Sequence, residues 1–211
     1  MGEEFDAGHF DTFATSRRST RDFLPTPVPD ELIEEIISAG LTSPSWSNTR
    51  PFVVAVAKGE IRDRLSLEFL SRFELVKTGQ GEGIFGKIKA LIRRKGLPTS
   101  NWLVLKRYHK DLLPRSQRIG KELFTQMGID RDDKDARDGF WARNYEFFGA
   151  PVELFLFTHK SLGKFAASDA GLFMQNLMLS AHSRGLGTCA QGSVAIWEDA
   201  GRKEVQISKN Y

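Results

Sequence analysis

Three arginines stand within five positions in TSRRSTRDF, residues 15–23: Arg17, Arg18 and Arg21, beside Ser16, Ser19 and Thr20. A guanidinium presents a planar fork of N–H donors that matches phosphate or carboxylate oxygens through short charge-assisted bonds, and neighbouring hydroxyls add donors. Such a knot suits a solvated charge cluster, an arm laid on nucleic-acid phosphates, or a grip on one small phosphate. Two further stretches are built for contact. PSWSNTRPF, residues 44–52, is a tight polar loop that leads into an apolar run, and GLGTCAQG, residues 185–192, offers small residues and backbone donors.

Other chemistries lack their parts. The single cysteine, Cys189, excludes an internal disulfide, and His9, His109, His159 and His182 stand far apart, so no metal-ligand spacing arises. There is no G-x-S-x-G elbow and no H-E-x-x-H, and GQGEG is not the G-x-G-x-x-G of a dinucleotide fold. A redox cofactor, if one is bound, has to be held by another scheme.

The elements that would position these stretches are legible from periodicity. Pro29, Asp30 and Glu31 form a helical first turn with negative charge at the positive dipole end. Leu32, Ile33, Ile36, Ile37 and Leu41 continue the stripe, and Gly40 marks the helix end. PFVVAVA, a short continuous apolar run with β-branched residues, reads as a fully buried strand, central in a sheet; PVELFLFTH reads as a second. Residues 60–76 look helical, with TGQGEG breaking the pattern. A third helix is expected near RSQRIGKELFTQMG, followed by an acidic turn and an aromatic-rich helix. Residues 168–184 form a helix apolar almost all round, capped by Ser168 with Asp169 in its first turn; Asp169 and Gln175 read as capping and packing residues. Gly185 closes this helix in the left-handed conformation.

The 211 residues, 40% hydrophobic with sixteen Phe, suit one soluble domain spanning 1–211, and no run of about 18 apolar residues suggests stable membrane insertion. The single cysteine suits a reducing, cytoplasmic setting, and the acidic start MGEEFDAGHFDTF, with no apolar stretch, does not read as a signal peptide. Net charge is only +3, yet residues 87–121 hold eleven Lys and Arg against Asp111 alone, and Ile84, Phe85, Ile88, Leu91 and Ile92 share one face of a basic amphipathic helix.

In this order and context, RRSTRDF, PSWSNTRPF and DAGLFMQNLMLSAHSRGLGT resemble the FMN-dependent nitroreductase family. Its pattern pairs R-R-S-x-R-x-F with P-S-x-x-N-x-(Q/R)-P-(W/F) and a late helix D-x-G-x-x-x-Q-N-L ending G-L-G-T. RNYEFFGAPVELFLF fits the family's middle, and the likeness runs over roughly residues 15–195. The resemblance implies an α+β fold, a mostly antiparallel central sheet flanked by helices, working as a homodimer with the 168–184 helix at its core. It implies an oxidoreductase in which NAD(P)H delivers hydride to flavin N5, leaves, and gives way to a nitroaromatic, quinone or similar acceptor.

Carried over by position, the resemblance implies that Arg17, Arg18, Ser19 and Arg21 hold the phosphate and the ribityl or pyrimidine edge of FMN. Pro44, Ser45 and Trp46 would lie against the flavin of the neighbouring subunit, whereas Asn48 and Arg50 would bond the N3/O4 and O2 edges of the flavin whose phosphate their own subunit holds. A cation at Arg50 would stabilise charge arriving around N1 and O2. Ala190, Gln191 and Gly192 would pass the dimethylbenzene and N5 side, Gly192 permitting close approach. The family's variable lid would fall at about 78–115, where Arg93, Arg94, Lys106, Arg107 and Arg115 could attract an anionic acceptor or the 2′-phosphate of NADPH.

Family chains generally continue into a glycine-rich last strand. This sequence stops at VQISKNY with no such strand expected after Trp197: either the C-terminal strand is missing, which would reduce FMN affinity and dimer stability, or the ending has been remodelled. Two alternatives stay open. One is a phosphate-backbone (nucleic-acid) binding module using the basic clusters, in place of the expected enzyme with no nucleic-acid partner. The other is a family relative with dehalogenating or flavin-modifying chemistry.

Overall fold

The computed structural model describes residues 6–81, 96–100 and 108–211. In chain order the helices and strands are α1 (Ala7–Ser16), α2 (Asp30–Gly40), β1 (Phe52–Lys58), α3 (Gly59–Gly81), α4 (Leu113–Gln126), α5 (Lys134–Ala142), β2 (Val152–Thr158), α6 (Lys164–Ser183) and α7 (Glu198–Glu204). They fall into two compact units. One holds the chain up to Arg62, Gly149–Ala190 and Val205–Tyr211; the other holds Asp63–Phe148 and Gln191–Glu204.

In the first unit β1 and β2 pair antiparallel, from Phe52 opposite Thr158 to Lys58 opposite Val152. The expected burial of β1 is only partly met: Ala57 is sealed, but Val56 is 37% exposed. A continuous apolar run does not report how many faces are covered, and among the described residues this sheet has two strands, each with an open edge. Asp30 and Glu31 do open α2, and Ile33 and Ile36 turn its buried face towards α6. Phe173 of α6 is buried, its ring 4.7 Å from that of Phe52. A Cβ on Gly40 would stand 2.7 Å from the Phe173 ring, so this glycine serves close helix approach as well as termination.

α6 begins one turn earlier than the sequence suggests. Its N-cap is Gly163, at φ 47°, and Ser168 is an interior residue. Lys164, Phe165, Ala166 and Ala167 are acceptable helix formers, so the chain enters the helix before reaching the serine. The far end is as expected, with Gly185 at φ 74°. There His182 Nε2 lies 2.7 Å from Ser16 Oγ and stacks on Phe13, tying α1 to the helix end. The C-terminal residues also belong to this unit: the Lys160 N–H donates to Asn210 O, and Tyr211 meets the His159 ring edge-on.

The second unit is built around an aromatic core. Leu65, Phe69, Phe140, Tyr145, Phe147, Phe148 and Trp197 are buried, and Phe69 meets Phe147 edge-on and Trp197 stacked. Within this aromatic core α3 carries a buried arginine. Arg72 forks onto Glu68 one turn away and onto both Asp199 oxygens of α7, at 2.6 and 3.0 Å, while Thr99 Oγ1 donates to Asp199. The Arg72 hydrogen bonds hold the Asp199 carboxyl below its usual range. α3 extends past the expected break to Gly81, through the first two glycines of TGQGEG, whose Glu82 and Gly83 lie outside the described residues; an isolated glycine costs a helix about 1 kcal/mol without ending it. The basic amphipathic helix expected around Ile84–Ile92 lies outside the described residues, as do Arg93, Arg94, Lys106 and Arg107 of the expected lid; Arg115 is exposed on α4.

Candidate functional site

The arginine knot leaves α1 in extended conformation at Arg17 and runs beside the segment that follows α6. Ser19 forms a parallel bridge with Thr188, and the Thr20 N–H donates 3.0 Å to Thr188 O. Gly187 allows this approach, since a Cβ there would stand 2.7 Å from Thr20 Oγ1. The first and third sequence stretches are thus paired by backbone. Burial raises the Cys189 thiol above its ordinary value, while the nearby Arg21 and Arg17 charges pull it back and Glu153 adds to the rise. Glu153, on β2 opposite Ala57, is itself pushed up to about 8 by burial, against the pull of Arg62. No feature of the sequence reading pointed to Glu153.

The guanidinium donors of the knot meet only backbone carbonyls among the described residues. Arg18 donates to the Thr15 and Arg17 carbonyls, and Arg21 reaches the Ser19 carbonyl at 3.5 Å. Among the described residues none of Arg17, Arg18, Arg21 and Arg50 pairs with a carboxylate, unlike Arg72 or Arg64. The Thr188 hydroxyl is buried with no hydrogen-bond partner among them. Guanidinium forks without counter-ions around serine and threonine hydroxyls are the donor set a phosphate monoester requires, so the residues present fit FMN at its phosphate end.

The loop of residues 44–50 is held in an unusual shape. Ser47, Asn48 and Arg50 sit at φ 50°, 55° and 45°, a region that non-glycine residues enter at a cost. Internal hydrogen bonds brace it: Arg50 N–H to Ser45 Oγ at 2.9 Å, Asn48 N–H to Ser45 O, and Thr49 Oγ1 to Trp46 O. The loop is anchored on α6, where the Trp46 N–H donates 2.9 Å to Asp169 Oδ2 and the Trp46 ring packs on Phe165 at 4.4 Å. Trp46 is still 54% exposed, and Asn48 and Arg50 project from the surface. Asp169, read from sequence as a helix-start residue, is buried one turn inside α6. Its signal was an acid on a helix otherwise apolar almost all round. Asp169 and His182, thirteen positions apart on one helix, set the anchors of loop and knot about 20 Å apart along the axis. That suits an elongated ligand with an anion at one end and a polar ring at the other.

Of the third stretch, Ala190 is exposed at the end of the first unit. In the second unit Gln191 Nε2 donates to the Asn144 carbonyl, Ser193 Oγ bonds Asn144 Oδ1, and Gly192 leaves open space where a Cβ would stand. Among the described residues no cluster of His, Cys, Asp and Glu could hold a metal ion, and no helix is long and apolar enough to cross a membrane.

Comparison with known proteins gives concordant matches. The model described as the Nitroreductase family covers residues 14–210. A 4-nitrobenzoate reductase of Pseudomonas putida is 36% identical over 189 residues, 90% of this chain and 74% of the relative. A chloronitrobenzene nitroreductase of Comamonas testosteroni is 29% identical over 93% of this chain and 79% of its own. The crystal structure of the FMN-dependent nitroreductase NfnB from Mycobacterium smegmatis in complex with NADPH superposes with a TM-score of 0.79, at 26% identity, over 96% of this chain and 82% of that one.

Proposed function

From the premise that this chain belongs to the Nitroreductase family, we propose that its arginine knot and the loop anchored on α6 are the two ends of one FMN site serving nitroaromatic reduction. The protein is an FMN-dependent oxidoreductase of α+β fold that uses NAD(P)H to reduce nitroaromatic and related acceptors. When bound, FMN supplies the chemistry, taking hydride from the nicotinamide and passing reducing equivalents to the acceptor. The chain's own residues bind and orient it. Arg17, Arg18, Ser19 and Arg21 hold the phosphate end, and their unpaired guanidiniums are the observation that carries this reading.

Asn48 and Arg50 address the polar edge of the ring, Arg50 placing a fixed cation where negative charge develops. Pro44, Ser45 and Trp46 cover the flavin of the neighbouring subunit in a homodimer, for which the exposed Phe165 and Leu172 on α6 supply apolar surface. To Ala190, Gln191 and Gly192 we assign the N5 side on the family pattern alone. For the acceptor we favour a carboxylated nitroarene. The Pseudomonas putida relative is named for 4-nitrobenzoate, and residues 87–121 here carry a net charge of +10 that would draw an anion.

One experiment tests the assignment. The purified protein should be yellow, bleach with NADPH or NADH under nitrogen, and recolour with 4-nitrobenzoate faster than with nitrobenzene. Replacing Arg17 and Arg21 together by Ala should yield a folded, colourless protein. A double variant that stays yellow with unchanged FMN affinity overturns the phosphate assignment, and equal recolouring rates overturn the preference for an anionic acceptor.

A further inference from the structure

We infer that Asp169 is a positioning residue for the flavin loop: its carboxylate clamps the Trp46 N–H and so sets the conformation in which residues 44–50 meet the cofactor, an inference that rests on the FMN reading above. The loop stores strain at Ser47, Asn48 and Arg50, and strained backbone persists only where its surroundings over-determine it. The bonds from Ser45 and Thr49 are internal, so they can form in any orientation of the loop as a whole. The bond to Asp169 reaches a different element, 123 residues away in sequence.

The clamp is rigid at its base. Asp169 is 6% exposed, next to buried Ala170, and Phe165 one turn earlier packs against the Trp46 ring. At the loop's entrance Ser43 Oγ donates to the Leu172 carbonyl, also on α6. Three successive points on one helix, Phe165, Asp169 and Leu172, thus register the loop, and Asp169 is the one among them whose side chain meets the loop backbone by a hydrogen bond. A carboxylate accepting from a backbone N–H makes a stronger bond than a neutral acceptor. Asparagine keeps an acceptor oxygen in the same place; leucine keeps the volume and removes it.

The test compares wild type, Asp169→Asn and Asp169→Leu. In wild type without FMN, the Trp46 amide should exchange with deuterium far more slowly than an open loop; exchange at the open-loop rate overturns the inference without any variant. Asp169→Leu should bind FMN about tenfold or more weaker, the scale of one lost charge-assisted bond, and its bound-flavin absorption band should shift. Asp169→Asn should restore affinity to within about threefold of wild type and keep the amide protected. If Asp169→Leu folds, leaves FMN affinity and spectrum unchanged and frees the amide, Asp169 is a packing residue and the inference fails. If wild type binds no FMN while its Trp46 amide is protected, the clamp stands and the flavin reading is what fails.

Discussion

Glu153 lies on β2 within the electrostatic reach of Cys189, and burial pushes its carboxyl up to about 8 against the pull of Arg62. The folded chain therefore keeps a proton that the unfolded chain, with an ordinary glutamate near 4.5, releases. Between those values the native state binds more protons, so stability falls as pH rises through this window and reaches its full deficit above about 8. Glu153→Gln mimics the protonated form at every pH. Its advantage over wild type in urea unfolding should be small near pH 5 and grow to about 2–4 kcal/mol near pH 8.5. An advantage that does not change with pH would show that Glu153 is not the buried acid described. At this scale the sequence is uneven evidence. Three arginines in five positions stand out by charge, even though a solvated cluster and an anion grip read alike there, whereas Glu153 and Asp169 look like any strand or helix acid until the fold shows which face they occupy.

Helix α2 and the end of α6 were readable because their signals are local: acids at a first turn, a glycine at a left-handed terminus. The start of α6 was not, since Ser168 carries the chemistry of a cap but the four residues before it also favour helix, and only tertiary contact decides where the helix begins. Gly40 shows how two roles hide in one residue. Its helical backbone would accept alanine, worth about 1 kcal/mol in propensity, yet a Cβ would lie 2.7 Å from the buried Phe173 ring, itself packed on Phe52. Overpacking a rigid ring should outweigh propensity, so Gly40→Ala should lose about 1–3 kcal/mol in chemical denaturation. Phe173→Leu in the same chain should recover part of the loss. A neutral or stabilising Gly40→Ala would mean that α2 and α6 do not approach so closely.

At the scale of the molecule, we propose that residues 1–211 fold as one cooperative domain although their contacts sort into two units. Composition supports this, with core material enough for one domain of this length, but the interleaving of the units was invisible in sequence because it depends on which distant segments pair. The chain passes between the units four times, at Arg62, Phe148, Ala190 and Glu204. Strand β1 must find β2 across the segment that builds most of the second unit. Closing a loop of about 90 unfolded residues costs about 4 kcal/mol through the logarithmic term alone, and folding that segment removes much of the cost. Losing the second unit should therefore burden the β1–β2 pairing by that amount, a large share of the stability a domain of this size has to spare. Amide exchange in the β1–β2 ladder and around Phe69 should then show the same urea dependence, and calorimetry should give one transition whose measured enthalpy matches the van't Hoff value. Two separated transitions, with β1–β2 amides protected after those around Phe69 have exchanged, would establish independent domains instead.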